Sequence, residues 1–210
     1  MDNLIDKLKR VRVLVVGDLI LDRYLEGSTE RVSPEAPVPI VKIDTDTEKL
    51  GGAANVAANI RALGASPTLV GIVGRDSFGK SLENLCRKKN IDMQLVVDND
   101  FSTTLKTRVI SQRQQIVRVD NESVPSVDSK ERLIHIVEKQ INECDVIVVS
   151  DYAKGSVDNV EEIIALAVLN GKPIVVDPKG EDFSKYKGAT IIKPNLAEFE
   201  AVVGPCRNNL

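Results

Sequence analysis

The sequence is poor in the residues that staple small secreted folds. Its three cysteines, Cys86, Cys144 and Cys206, are odd in number, far apart, and lack a CxxC pair or a neighbouring histidine cluster. That excludes a disulfide framework and a structural zinc site, and points to a reducing compartment. A single histidine, His135, lies on a predicted helix with no serine or cysteine partner, so triad hydrolysis is excluded and a structural or surface role expected. No run reaches the roughly 18 apolar residues of a membrane span, and MDNLIDKLKR lacks the apolar stretch of a signal peptide. A cytoplasmic protein with no membrane partner is expected. Lys and Arg together number 28 against 31 acidic residues, a net charge of -3 that offers polyanions no attractive field, so nucleic-acid binding is not favoured. Internal repeats and low-complexity tracts are missing. What is present is a 42% hydrophobic chain of 210 residues, enough for one large globular domain or part of a larger one.

Strand-length apolar runs alternate with helical-period segments, the pattern of an α/β fold with a doubly wound, mostly parallel sheet flanked by helices. Strands are predicted at Val11–Gly17, Pro67–Val73, Asp145–Ser150, Pro173–Asp177 and Thr190–Lys193. Helices are predicted at Gly52–Leu63, Phe78–Lys89, Ser129–Asn142, Val157–Asn170 and Asn195–Val203. Pro37–Ile43 and Thr103–Val119 have instead the alternating, β-branched look of antiparallel strands, which predicts a small protruding sheet, either a flap over a ligand or a plain surface hairpin or dimer contact. The chain ends at GPCRNNL, just after a predicted helix and without further strands, and so is expected to be the N-terminal portion of a larger domain.

Several polar constellations punctuate this frame. Asp18 and Asp22 follow the first strand in GDLILDRY, where open α/β sheets bind ligands. They suit sugar hydroxyls, although Asp18 could equally cap a turn. Gly51 and Gly52 open a helix after a charged loop and permit close backbone approach; Asn55, one turn in, offers a donor and an acceptor. Gly74–Ser81 satisfies the G-x-x-x-x-G-K-[ST] phosphate-loop pattern and so raises a P-loop NTPase. Against it, Asp76 would place a carboxylate among the N–H groups meant for phosphate, and either Asp76 or Ser77 could cap a helix instead. Three strand ends, Ser150–Gly155, Asp177–Gly180 and Lys193–Glu198, present Asp, Lys, Asn and Glu along one sheet edge, a crevice where lysines suit phosphate and carboxylates suit hydrated Mg²⁺. Lys106 and Arg108 share a face of the protruding sheet, suited to a substrate phosphate or merely to a solvated edge.

GDLILDRY, Val32–Pro39, GGAANVAANI, SDYAKG, DPKG and PNLAEFEAVVG together resemble the ribokinase-like (PfkB) carbohydrate kinases, in particular their heptose branch, over Val11–Gly204. The resemblance implies ATP-dependent phosphorylation of D-glycero-β-D-manno-heptose 7-phosphate at its anomeric hydroxyl, within ADP-heptose biosynthesis. Another sugar-phosphate kinase of the family and a non-catalytic sugar-binding or dimerisation module are the alternatives. It implies substrate contacts at Asp18, Asp22, Gly51, Gly52, Asn55 and Arg108, and nucleotide contacts at Lys179, Asn195, Leu196, Ala197 and Glu198. ATP and Mg²⁺ are implied as cofactors, with Glu198 and Asp177 toward the metal. The protruding sheet, at about residues 20–45 and 103–120, would be a lid that also makes a homodimer. The family's Gly-Ala-Gly-Asp motif, which carries the catalytic base, has no counterpart in the 210 residues and is expected downstream together with much of the adenine pocket, so the chain alone is expected to be inactive.

Overall fold

A computed structural model describes residues 6–206. The reading of the final residues as a truncated end falls partly outside this range, as do the first five residues. Strand β1 (Arg12–Gly17) carries the run VLVV because both its faces are covered. Val13 and Val15 pack toward helices α1 (Gly52–Ala62) and α2 (Ser77–Lys88), while Leu14 and Val16 pack toward α3 (Val127–Gln140) and α4 (Val160–Leu169). At about 1.5–3 kcal/mol for each large aliphatic side chain buried, this two-sided cover explains an unbroken apolar run where a half-exposed strand would alternate.

Around β1 the main sheet is wholly parallel. One side adds β4 (Ser66–Gly74) and β5 (Asp92–Asp98); the other adds β8 (Val146–Ser150), β9 (Ile174–Asp177) and β10 (Ile191–Ile192). The order β10-β9-β8-β1-β4-β5 reverses direction between β1 and β8, which makes that gap the switch point where such sheets take ligands. Register sets Gly17 beside Ser150 and Ser150 beside Asp177, so the polar residues that follow these strands emerge along one rim.

The second sheet, ordered β3-β2-β6-β7, projects from this body. It comprises β2 (Leu19–Val32), β3 (Pro39–Gly51), β6 (Thr104–Ser111) and β7 (Gln114–Asn121). The base of β2, Leu19 to Leu21, is buried in the core; beyond it the strand is only partly covered. The β6–β7 hairpin turns at Gln112 and Arg113, both left-handed at φ 51° and 67°, the backbone shape of the tight hairpin turn that usually takes Asn-Gly. The charged segment before Gly51, expected to be a loop, is the exposed end of β3. Solvent on this edge removes the apolar alternation that would have marked it. Strand β5 (DMQLVVD) is an element the sequence reading did not contain. It is the outer strand of the parallel sheet and is buried only at alternate positions near its end.

Candidate active site

Asp18, the residue after β1, is fully buried at the switch point, at 0% exposure. Its carboxylate accepts hydrogen bonds from the backbone N–H groups of Tyr152 (2.8 Å), Lys154 (3.0 Å) and Ser156 (3.0 Å) in the loop after β8. Burial pushes its pKa up, against the pull of those three donors. A sugar contact at Asp18 was expected; in this conformation its oxygens are taken by backbone and have no open face, because the loop closes over them.

Asp22, on β2 at the base of the second sheet, keeps some exposure and accepts a hydrogen bond from Arg108 Nη1 at 2.5 Å. The guanidinium of Arg108 also lies 5.2 Å from the Tyr24 ring centre, with Lys49 Nζ 4.6 Å from the same ring. The Gly51-Gly52 pair is required here. A side chain at Gly51 would run into the Asp22 carboxylate, and Gly52, at φ +53°, would press one into the Asp18 carbonyl. The first turn of α1 is tied to the rim by the Ala53 N–H donating to that same carbonyl at 2.9 Å. Asn55 is exposed and does not line the strand-end cleft; it lies with Glu48, Lys49 and Asn59 in a separate groove between the end of β3 and the outer helices.

Across the switch point, Asp151, Tyr152, Asp177, Pro178, Lys179, Lys193, Asn195 and Glu198 line a cleft of about 180 Å³. Every strand-end constellation therefore reaches this edge. Lys179 Nζ donates to Glu198 Oε1 at 2.9 Å, and Lys193 Nζ lies 3.0 Å from Asp177 Oδ1. Each lysine is held above its ordinary pKa chiefly by the hydrogen bond to its carboxylate. Burial works against ionisation of Glu198, but Lys179 and the Asn195 N–H outweigh it and hold the carboxyl below its usual range. Asn195 and Glu198 form a reciprocal capping box on α5 (Leu196–Val203): the Glu198 N–H donates to Asn195 Oδ1 (2.9 Å) and the Asn195 N–H to Glu198 Oε2 (3.0 Å). Leu196 and Ala197 are the exposed first turn of that helix.

Among the described residues no group of three or more His, Cys, Asp or Glu side chains could enclose a metal, so a protein-only cage is excluded there. Two carboxylates beside two lysines fit a metal carried on phosphate oxygens, since Mg²⁺ keeps its waters and takes only one or two carboxylates.

The phosphate-loop pattern is overturned. Asp76 caps α2, accepting from the Gly79 N–H at 2.7 Å, and its other oxygen accepts from the Thr103 N–H at 2.8 Å. A fixed carboxylate thus occupies the place a phosphate would need, and Lys80 is an exposed residue. His135 is exposed beside Glu138. Cys86 and Cys144 are buried free thiols, the first pushed up to about 11 mainly by burial; Cys206 is free and exposed.

Two residues of this edge were not assigned individually as site residues from the sequence. Tyr152, 38% exposed, lines the cleft; its hydroxyl pKa is raised by burial and by the charges of Asp177 and Asp22. Lys193 is the second lysine there. Position at a strand end was the available signal for both.

A profile of the pfkB family carbohydrate kinases matches residues 11–210. Over 199 residues the chain is 47% identical to the D-beta-D-heptose 7-phosphate kinase of Bordetella bronchiseptica, covering 95% of this chain and 64% of that protein. It is 49% identical over 200 residues to the bifunctional protein HldE of Chromohalobacter salexigens, covering 95% and 42%. The chain thus spans between 42% and 64% of the length of these curated relatives. Among solved structures it is similar to phosphofructokinase-2 from Escherichia coli in complex with substrates and products, with TM-score 0.71, 23% identity, and 92% of this chain and 63% of that one covered. It is likewise similar to a carbohydrate kinase from Agrobacterium tumefaciens, with TM-score 0.72, 20% identity, and 92% and 64% covered. At these identities the structural likeness concerns the fold, the ribokinase-like arrangement expected from the sequence.

Proposed function

As the chain belongs to the pfkB family of carbohydrate kinases, we propose that it supplies the sugar-binding face and part of the nucleotide-binding face of a kinase that phosphorylates D-glycero-β-D-manno-heptose 7-phosphate at its anomeric hydroxyl with ATP. The observation that carries this reading is the cleft at the switch point, where Lys179, Lys193 and Glu198 gather from successive strand ends beside Tyr152. The Tyr152 N–H donates to Asp18, the residue just before β2, and β2 carries Asp22 in its pair with Arg108.

The chemistry follows from the side chains. Asp22 accepts a sugar hydroxyl. Arg108 spends one donor on Asp22 and keeps others of its five for the phosphate the sugar already carries. Lys179 and Lys193 balance nucleotide phosphates as point charges, which matters because in phosphoryl transfer positioning and charge neutralisation do most of the work. Asp177 and Glu198 would hold Mg²⁺, which when bound neutralises phosphate charge. Lid closure keeps water from competing with the sugar hydroxyl. The same sheet serves as the homodimer contact in this reading, and the enzyme acts in the cytoplasm. The proton acceptor for the sugar hydroxyl is assigned to none of these residues.

The test is ADP release by this chain within a complete kinase domain, with ATP, Mg²⁺ and either heptose 7-phosphate or the unphosphorylated heptose. Release with the phosphorylated sugar alone supports the reading, and equal rates on both refute it.

A further inference from the structure

Within the kinase reading just given, on which this inference rests, we propose that Asp18 is a positioning residue: its carboxylate fixes the loop from Tyr152 to Ser156, and so sets both Tyr152 in the cleft and the tie between that loop and the lid.

The loop's shape calls for such an anchor. Its backbone alternates, with Ala153 at φ +54° and Gly155 at φ +95°. That alternation turns the N–H groups of residues 152, 154 and 156 to one side, the concave nest that binds anions. The anion is the protein's own. Asp18 Oδ2 accepts from Tyr152 and Lys154, and Oδ1 accepts from Ser156. Left-handed backbone at a residue with a Cβ is costly and persists only where its surroundings over-determine it. Here the Asp18 contacts and the Ala153 N–H donating to Asp151 Oδ1 at 2.7 Å do so.

The fixed loop then reaches in two directions. Tyr152 faces the cleft with Asp177, Lys179 and Lys193. Lys154 Nζ donates to Glu122 Oε2 at 2.6 Å, just beyond β7, and Glu122 also pairs with Lys106 at 3.4 Å. Lys106 is the cross-strand neighbour of Asp22. A continuous set of contacts therefore joins the buried end of β1 to the strand that carries the sugar-side carboxylate. Bonded to the 152–156 loop through three backbone N–H groups and the Ser156 side chain, and with no exposed surface, Asp18 acts on a ligand only through what it holds in place.

The experiment is amide hydrogen exchange by NMR on the full chain, comparing wild type with Asp18→Asn and Asp22→Asn, together with calorimetric titration of heptose 7-phosphate and of MgADP. Asp18→Asn should speed exchange at one or more of Tyr152, Lys154 and Ser156 by about tenfold while the amides of β1 and β4 stay slow, and should weaken both ligands by about fivefold or more. Asp22→Asn should leave those loop amides slow and weaken the sugar phosphate alone. Unchanged loop exchange in Asp18→Asn, or a loss confined to the sugar, would overturn the proposal in favour of direct contact. Should wild type bind neither ligand, the kinase reading fails, while the exchange data still decide whether Asp18 anchors the loop. Should Asp18→Asn unfold, scalar couplings across the hydrogen bonds from these amides to the Asp18 carboxyl carbon decide on the wild-type protein: their detection supports the anchor and their absence overturns it.

Discussion

Asp22 and Arg108 meet at 2.5 Å across neighbouring parallel strands of the second sheet, and a side chain at Gly51, in the turn that opens α1, would run into that Asp22 carboxylate. Both side chains are about one-fifth exposed, so the pair is worth only about 1 kcal/mol to folding and its main effect is to aim two groups at the rim. Arg108→Ala is expected to weaken heptose 7-phosphate binding by about ten- to a hundredfold, as loss of a charge-assisted contact should, with little change in melting temperature. Calorimetry and a thermal melt on one preparation check both halves.

Glu198 holds two jobs at once, half of the α5 capping box and the partner of Lys179. Glu198→Gln separates them, because glutamine still caps at this position while the ionic hold on Lys179 is lost. Titration with MgADP should show affinity lowered by about tenfold, with the melting temperature kept.

Asp98 is the carboxylate through which acid should act on the fold. Burial works against its ionisation, but the Ser126 N–H and hydroxyl and the Asp100 N–H outweigh it and pull its pKa from 3.8 to about 2. A carboxyl depressed in the folded state adds stability above its unfolded pKa and loses it as pH falls, so the loss runs from about pH 4 down to about pH 2. With a discount for screening near the surface, the size is on the order of 1–2 kcal/mol. Urea unfolding at pH 6 and pH 3 should show this contribution in wild type and a shallower pH dependence in Asp98→Asn.

Lys80 and Asp76 separate a phosphate loop from a capped turn. Lys80→Ala should leave nucleotide binding unchanged. Asp76→Ala strips the partner from the Gly79 and Thr103 N–H groups and should cost about 1–3 kcal/mol in chemical denaturation.

Much of this architecture was legible because strands buried on both faces write themselves as unbroken runs, as VRVLVVG and DVIVVS do. The lid hairpin was legible from its alternation. What escaped lay where solvent relaxes the pattern: the exposed length of β3 looked like a charged loop, and the outer strand β5 alternates only near its end. For the site, the residues singled out at the strand ends, Asp177, Lys179, Asn195 and Glu198, line one cleft. Residue types could not separate Asp18 from Asp22. Both are aspartates beside one strand end, and only the path of the 151–156 loop decides that one is covered and the other reachable. Asn55 faces elsewhere for a similar reason, since its direction depends on where α1 starts, a detail of one residue.

The most direct single test is titration of the chain with heptose 7-phosphate and, separately, with the same sugar lacking its phosphate, in wild type and in Arg108→Ala. Binding at the lid base through a cation predicts a preference for the phosphorylated sugar of at least about tenfold, collapsing toward unity once Arg108 is removed. Equal affinity for the two sugars in the wild-type protein would contradict it.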